Sequence, residues 1–168
     1  MNGGRFDVVS FGEILWEVIE GVPHLGGAPF NFAAHCTLCG LKTAIVSSVG
    51  DDDLGRRACE MARGYGVDVA GVNIHPTLPT GTVLVTLRDG FPAYDISRGA
   101  VWDGITVSDA VLAQPCPRAV YFGTLMQRSS DSAAFLAAYL KGDPPQEAAR
   151  AGNVRSGYVA SEAGAIPD

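Results

Sequence analysis

The sequence predicts an α/β fold, with a doubly wound, mainly parallel sheet, helices on its faces and a small β lid. Short valine-rich runs typical of buried strands alternate with segments that carry helix start and stop signals. A glycine-containing turn at residues 88–90 separates two further apolar runs, which indicates a hairpin outside that alternation. We expect this hairpin to form a small antiparallel flap on the main layer.

Strands are expected where a short apolar run is bounded by Gly, Pro or Asp. Such runs cover residues 6–11, 42–49, 67–74, 82–87, 93–96 and 119–122. Residues 13–19 continue extended, with Glu13 and Glu17 on the face opposite Ile14, Trp16 and Val18. The glycines and proline of residues 21–27 predict a loop.

Four helices are expected. The first covers residues 30–38, with Gly40 where a C-terminal cap belongs. Asp51 to Asp53 supply an N-cap and an acidic first turn for a second helix that ends near residues 64–66, and we assign Asp52 to this capping. Two more are expected at residues 132–141 and 145–159.

Length and composition limit the class of protein. A chain of 168 residues with 47% hydrophobic residues fits one domain with a single core. The net charge is −6 and no block of Lys or Arg stands out, which argues against a nucleic-acid or anionic-membrane partner. No apolar run approaches the roughly 18 residues of a membrane span, and residues 1–7 lack a signal-peptide core. We therefore expect a soluble, cytoplasmic protein.

Cys36 and Cys39 form a Cys-x-x-Cys pair beside His35. A zinc site needs a second pair of ligands at short spacing, and the sequence has none. The pair falls in the first predicted helix, where a small thiol packs well. Buried thiols are thus the favoured interpretation over a metal or redox site.

The stretch Leu25-Gly-Gly-Ala-Pro-Phe-Asn31 is the best candidate for ligand binding. Two glycines allow close approach of a ligand to the backbone, and the following helix start offers free amide donors. Asn31 can donate and accept hydrogen bonds, as sugar hydroxyls do. The alternative is a tight loop in which Asn31 helps to cap the helix, and mechanism alone leaves both interpretations open.

An ordered series of motifs runs from SFGEILWEVI through GGAPFNFAAHCTLCG, the Gly50-x-Asp52-x-x-Gly55 turn, TGTVLV and DGFPAYDI to YFGTLMQRS. With these motifs the chain resembles the ribokinase-like (PfkB-type) carbohydrate kinases, and their fructokinase-type branch in particular. The resemblance implies a transferase that moves a phosphoryl group from Mg-ATP to a sugar hydroxyl, fructose being the expected sugar. It also implies a lid built from residues of about 13–25 and 80–98.

The resemblance further implies which residues bind the sugar. Gly26, Gly27 and Asn31 match the first family signature. Glu17 stands where the family usually has Asp, and a solvated strand residue is the alternative. Arg98 follows the lid hairpin and is either a ligand for sugar or phosphate oxygens or a surface residue. Trp102 is expected in the core rather than on a sugar face.

The late Gly-Ala-Gly-Asp segment, which in this family supplies phosphate-binding amides and the catalytic base, is absent from the sequence. So is the Asn-x-x-Glu motif that the family links to its metal. The end of the chain nevertheless resembles the family's last helices. We interpret residues 1–168 as a single, incomplete ribokinase-like domain with an internal junction near 128–135.

Asp131 is the one candidate for a residual base, and no metal ligands are assigned. Loss of the central segment would leave the strand at 119–122 on a sheet edge, and exposed edges invite pairing. A homodimer through the lid or this edge is therefore expected. The alternative to a kinase is a non-catalytic remnant that binds sugar or serves only as a dimeric scaffold.

Overall fold

The computed structural model describes residues 6–88, 91–96, 99–107 and 114–125. These ranges contain eight strands, two α-helices and a short 3-10 turn at Val101–Gly104. The strands are β1 (Val8–Phe11), β2 (Leu15–Ile19), β3 (Val22–Gly26), β4 (Thr43–Gly50), β5 (Asp68–His75), β6 (Thr82–Arg88), β7 (Phe91–Ile96) and β8 (Ala119–Phe122). The helices are α1 (Ala28–Leu38) and α2 (Asp53–Gly64). The helices expected at 132–141 and 145–159 lie outside the described residues.

Four strands form a large parallel sheet in the order β5-β4-β1-β8. All eight residues of β4 are buried, as its position between two neighbours requires. Helices α1 and α2 pack against this sheet around a core that includes Phe30, Ile45, Val49 and Ala58. The structure thus has the mainly parallel α/β arrangement expected from the sequence.

The other four strands form a separate small sheet in the order β3-β2-β6-β7. The β6–β7 pair is the expected antiparallel hairpin, but β2 and β6 run parallel. The expected antiparallel hairpin is therefore confirmed, but it belongs to a mixed sheet that the sequence did not predict. The small sheet is mixed because it combines two hairpins from distant parts of the chain.

Residues 22–26 are a strand rather than part of the loop that the glycines and proline of residues 21–27 indicated. Glu20 and Gly21 both have positive φ, and this two-residue turn folds β3 back onto β2. Pro23 is tolerated because β3 is an edge strand among the strands that the structure describes, and a missing amide donor on that side breaks no ladder.

A second core cluster joins the two sheets. Val83 and Val85 of the small sheet pack with Phe11, Val46 and Trp102. Trp102 is completely buried, which confirms its assignment to the core. No helix within the described ranges is long and apolar enough to cross a membrane.

Candidate functional site

The candidate site lies at the carboxyl ends of the large-sheet strands. β1 has β4 on one side and β8 on the other. The chain therefore adds its first strands on one side of β1 and a later strand on the other side. Ligands of open α/β sheets bind in the crevice at such a switch point. The Gly26-Gly27 loop lies at this crevice, because a Cβ on Gly123, which follows β8, would lie 2.8 Å from Pro29 Cγ.

Helix α1 begins at this loop without a side-chain cap. Gly27 is the N-cap residue, with φ of 105°, and it has no side chain to accept from the amides of the first turn. The first helical bond runs from the Asn31 amide to the Gly27 carbonyl, at 2.8 Å. The exposed Asn31 side chain is therefore not the cap that the alternative interpretation required.

Two buried serines hold the loop and the neighbouring strand in place. The Ser10 hydroxyl donates to the Pro29 carbonyl at 2.7 Å, and the Ser47 hydroxyl accepts from the Ile14 amide at 3.1 Å. Both serines are fully buried in strands of the large sheet. Sequence reasoning did not select them, although a hydroxyl within an otherwise apolar buried strand is a signal for such a role.

Glu13 is a further residue that sequence reasoning missed. It is 3% exposed, whereas the alternation of residues 13–19 placed it on a polar face with Glu17. A Cβ on Gly27 would lie 2.5 Å from the Glu13 carbonyl oxygen, and one on Gly123 would lie 3.2 Å from Oε2 of its carboxylate. Glu13 thus fills the space between the loop and the end of β8.

Glu17 of β2 pairs with His24 of β3, and its side chain reaches diagonally to Gly26. A Cβ on Gly26 would lie 2.9 Å from both Cδ and Oε1 of Glu17, so the carboxylate occupies space that only a glycine leaves free. Glu17 is half-buried rather than fully solvated. The structure therefore brings Glu17, Gly26 and Gly27 together at the base of α1. Arg98 and Asp131 lie outside the described residues.

The Gly50-x-Asp52-x-x-Gly55 turn is structural, as its assignment to helix capping predicted. Asp52 is the N-cap of α2 and accepts from the Gly55 amide at 2.8 Å. It also accepts from the amide and hydroxyl of Thr80, at 2.7 and 2.6 Å. Burial pushes the pKa of Asp52 upward, but the hydrogen bonds from Thr80 and Gly55, with nearby Arg56, hold that pKa below its ordinary value.

The expectation of buried thiols for the Cys-x-x-Cys pair is wrong in part. Cys39 is exposed and Cys36 is half-buried, because the pair lies at the last turn of α1 rather than inside it. Burial, and secondarily the Cys39 thiol, raise the pKa of Cys36, which lowers its reactivity. Within the part of the chain that the structure describes, no three His, Cys, Asp or Glu side chains could hold a metal ion.

The family model for pfkB family carbohydrate kinases matches residues 5–98, more than half of the chain. The matched range includes β1 to β7, the Gly26-Gly27 loop and the Asp52 turn. The chain therefore belongs to the pfkB family of carbohydrate kinases.

Curated relatives include sugar kinases from plants and an archaeon. The chain is 33% identical to fructokinase-1 of Zea mays over 73% of its own length and 42% of that protein's. It is 40% identical to the 2-dehydro-3-deoxygluconokinase of Thermoproteus tenax, over 45% of this chain and 22% of that one. The chain thus spans less than half the length of either relative.

Solved structures agree on the fold. A sugar kinase from Pyrococcus horikoshii matches with a TM-score of 0.72 and 24% identity, covering 80% of this chain and 52% of that one. A fructokinase from Xylella fastidiosa matches with a TM-score of 0.67 and 20% identity, covering 84% and 47%. The Pyrococcus enzyme has also been solved in complex with ATP. At these identities the likeness is one of fold.

Proposed function

We propose that the described part of this chain is the sugar-binding portion of a fructokinase-like carbohydrate kinase. The observation that carries the proposal is the approach of the Glu17 carboxylate to Gly26, at the uncapped start of α1. We assign this acceptor carboxylate, the backbone amide donors and the exposed amide side chain of Asn31 to one sugar site. Family membership supports the same assignment.

The chemistry of this set suits a neutral sugar. Each sugar hydroxyl both donates and accepts, so it needs a carboxylate or carbonyl on one side and an N–H group on the other. Glu17 supplies the acceptor, the first turn of α1 supplies the donors, and Asn31 supplies either. Arg98, which follows β7, remains part of the proposed site.

The whole-protein activity that we propose is phosphorylation of a sugar hydroxyl by Mg-ATP. The residues present do not fit the nucleotide end of that reaction, because the Gly-Ala-Gly-Asp and Asn-x-x-Glu motifs are absent from the sequence. Asp131 alone, without glycines to hold phosphate, does not replace them. We therefore expect this chain to bind sugar without turning it over.

ADP release from Mg-ATP tests this expectation against a panel of sugars that includes fructose. We expect no sugar-dependent turnover, together with a rise in melting temperature caused by one of the sugars. In Asn31→Ala that rise should be lost, and in His35→Ala, one turn further along α1 and also exposed, it should persist. Sugar-dependent ADP release that Asn31→Ala abolishes would instead show an active kinase.

We further propose that the chain forms homodimers through its sheet edge or its small sheet, which takes the role of the lid. Within the described residues β8 pairs on one side only, with β1. The small sheet also exposes Val22, Leu84, Phe91 and Tyr94. Light scattering should give twice the chain mass, and a monodisperse monomer would contradict the proposal.

We also propose that the protein is located in the cytoplasm. All four cysteines are free thiols, as is usual in a reducing compartment.

A further inference from the structure

The first turn of α2 is tied to the segment that precedes β6 by a closed set of hydrogen bonds. Thr80, which is 4% exposed, donates twice to Asp52, from its amide and its hydroxyl. The Thr80 hydroxyl oxygen in turn accepts from the Gly50 amide at 2.9 Å. We call these contacts among Gly50, Asp52, Gly55 and Thr80 the Asp52 clasp.

The Asp52 clasp continues through the backbone into β2. Gly81, next to Thr80, accepts from the Trp16 amide at 3.0 Å. The Trp16 indole donates to the Leu54 carbonyl at 3.0 Å, and the Arg57 guanidinium lies 5.0 Å from the Trp16 ring centre. Both Leu54 and Arg57 belong to α2. The residue after Trp16 is Glu17, whose carboxylate faces Gly26.

We propose that Asp52 and Thr80 are positioning residues that fix the Glu17 carboxylate over the Gly26-Gly27 loop. The Asp52 clasp fixes the segment that contains Gly81. The carbonyls of Gly81 and Leu54 then hold Trp16 through its amide and its indole. Trp16 in turn fixes the position of the next residue, Glu17. Neither Asp52 nor Thr80 needs to touch the sugar. This inference rests on the proposed function for its consequence, but the mechanical link from Thr80 to Trp16 stands on the hydrogen bonds alone.

Hydrogen exchange of the whole chain, without sugar, tests the mechanical link. Thr80→Val removes the hydroxyl at nearly constant volume, and Thr80→Ser keeps it. Thr43→Val is the matched control. Thr43 is also buried, lies at the opposite end of β4 from Gly50, and forms a side-chain hydrogen bond with Thr37 of α1. We expect Thr80→Val to speed exchange across β2 by tenfold or more, roughly the effect of losing one hydrogen bond to a charged group. Thr80→Ser and Thr43→Val should leave β2 near wild type.

A double-mutant cycle on sugar affinity tests the consequence for binding. If Thr80 acts through Glu17, Thr80→Val should weaken fructose binding about tenfold in the wild type and less than twofold in Glu17→Gln. Equal effects in both backgrounds would overturn the positioning role, as would β2 exchange that Thr80→Val changes no more than Thr43→Val does. If the wild type binds no sugar, the proposed function fails, and hydrogen exchange alone then decides whether the clasp fixes β2.

Discussion

Gly27 and Gly40 flank α1 with similar positive φ values, 105° and 85°, but their surroundings differ. A Cβ on Gly27 would collide with the Glu13 backbone, whereas a Cβ on Gly40 would meet nothing within 4 Å. At position 40, therefore, only the left-handed backbone conformation that ends the helix favours glycine. Gly27 also has to let the loop close on Glu13, so it has a packing role that Gly40 lacks.

Replacing each glycine by alanine separates these two roles. We expect Gly40→Ala to lower the free energy of unfolding by about 1 kcal/mol, the strain of a left-handed alanine. Gly27→Ala should cost roughly 3 kcal/mol or more, since overlap with Glu13 adds to that strain. Urea denaturation of both variants measures the difference. Equal losses would show that the loop does not pack on Glu13 as described.

Asp52 makes stability depend on pH in a defined direction. Because its pKa is lower in the folded chain, its charged form stabilises the fold above the ordinary Asp value of about 3.9. That contribution is lost as the pH falls from this value through the lowered pKa.

We expect Asp52→Asn to reduce the free energy of unfolding by about 2 kcal/mol above pH 5, the scale of hydrogen bonds to a charged acceptor. The difference in free energy of unfolding between this variant and the wild type should vanish as the pH falls below about 3.9. Denaturation curves between pH 2 and 6 measure it. Asp68→Asn is the control, since the exposed Asp68 accepts from the Ala70 amide, at 2.8 Å, at the start of β5. A gap that does not change with pH would contradict the assignment.

Several of these single-residue roles could be predicted from the sequence, and Glu13 shows why others could not. Asp52 sits before a helix and the two glycines precede another, so local capping rules apply to them. The burial of Glu13 depends on β8, more than a hundred residues later in the chain, whose end lies against its carboxylate. Simple strand alternation carries no information on such a distant neighbour.

Among the elements, α1 connects the loop to the large sheet. Phe32 on α1 stacks on Tyr121 of β8, with ring centres 4.2 Å apart and planes at 14°. This contact links the start of α1 to the strand whose end lies beside the loop. It therefore holds the two sides of the crevice at a fixed separation.

Phe32→Ala should cost about 1.5 kcal/mol in stability, since the stacking is lost along with part of the buried ring area. Leu38→Ala on the same helix is the control and should cost about 0.5 kcal/mol or less, because Leu38 is 69% exposed. Thermal denaturation monitored by circular dichroism distinguishes the two. A loss of equal size for both variants would mean that the stack does not anchor α1.

The strand that the sequence did not predict is β3. Its composition, with two glycines and a proline nearby, is that of a loop, and its strand character comes from pairing with β2. β8, by contrast, was predicted with its observed bounds, because a short apolar run ended by glycine needs no partner to be recognised, although its residues are exposed or half-buried rather than buried. Tertiary pairing therefore explains the error at β3.

At the scale of the whole molecule, the two sheets meet at a tightly packed junction that has no room for a side chain at position 81. A Cβ on Gly81 would overlap the Trp102 ring, and Trp102 itself packs with Val83 and Val85. The small sheet therefore packs on the large sheet next to Gly81, the residue that links the Asp52 clasp to Trp16. This seating gives Glu17 a fixed position relative to the loop, which a sugar site requires.

Titration calorimetry with fructose tests the central claim, that this chain binds a sugar between Glu17 and the Gly26-Gly27 loop. The account predicts saturable binding to the wild type that weakens at least tenfold in Glu17→Gln, the scale of a lost hydrogen bond to a charged group. Glu20→Gln, at the exposed turn of the same hairpin, should bind as the wild type does. Absence of binding across fructose and the other sugars of the panel, or equal affinity in Glu17→Gln, would contradict the account.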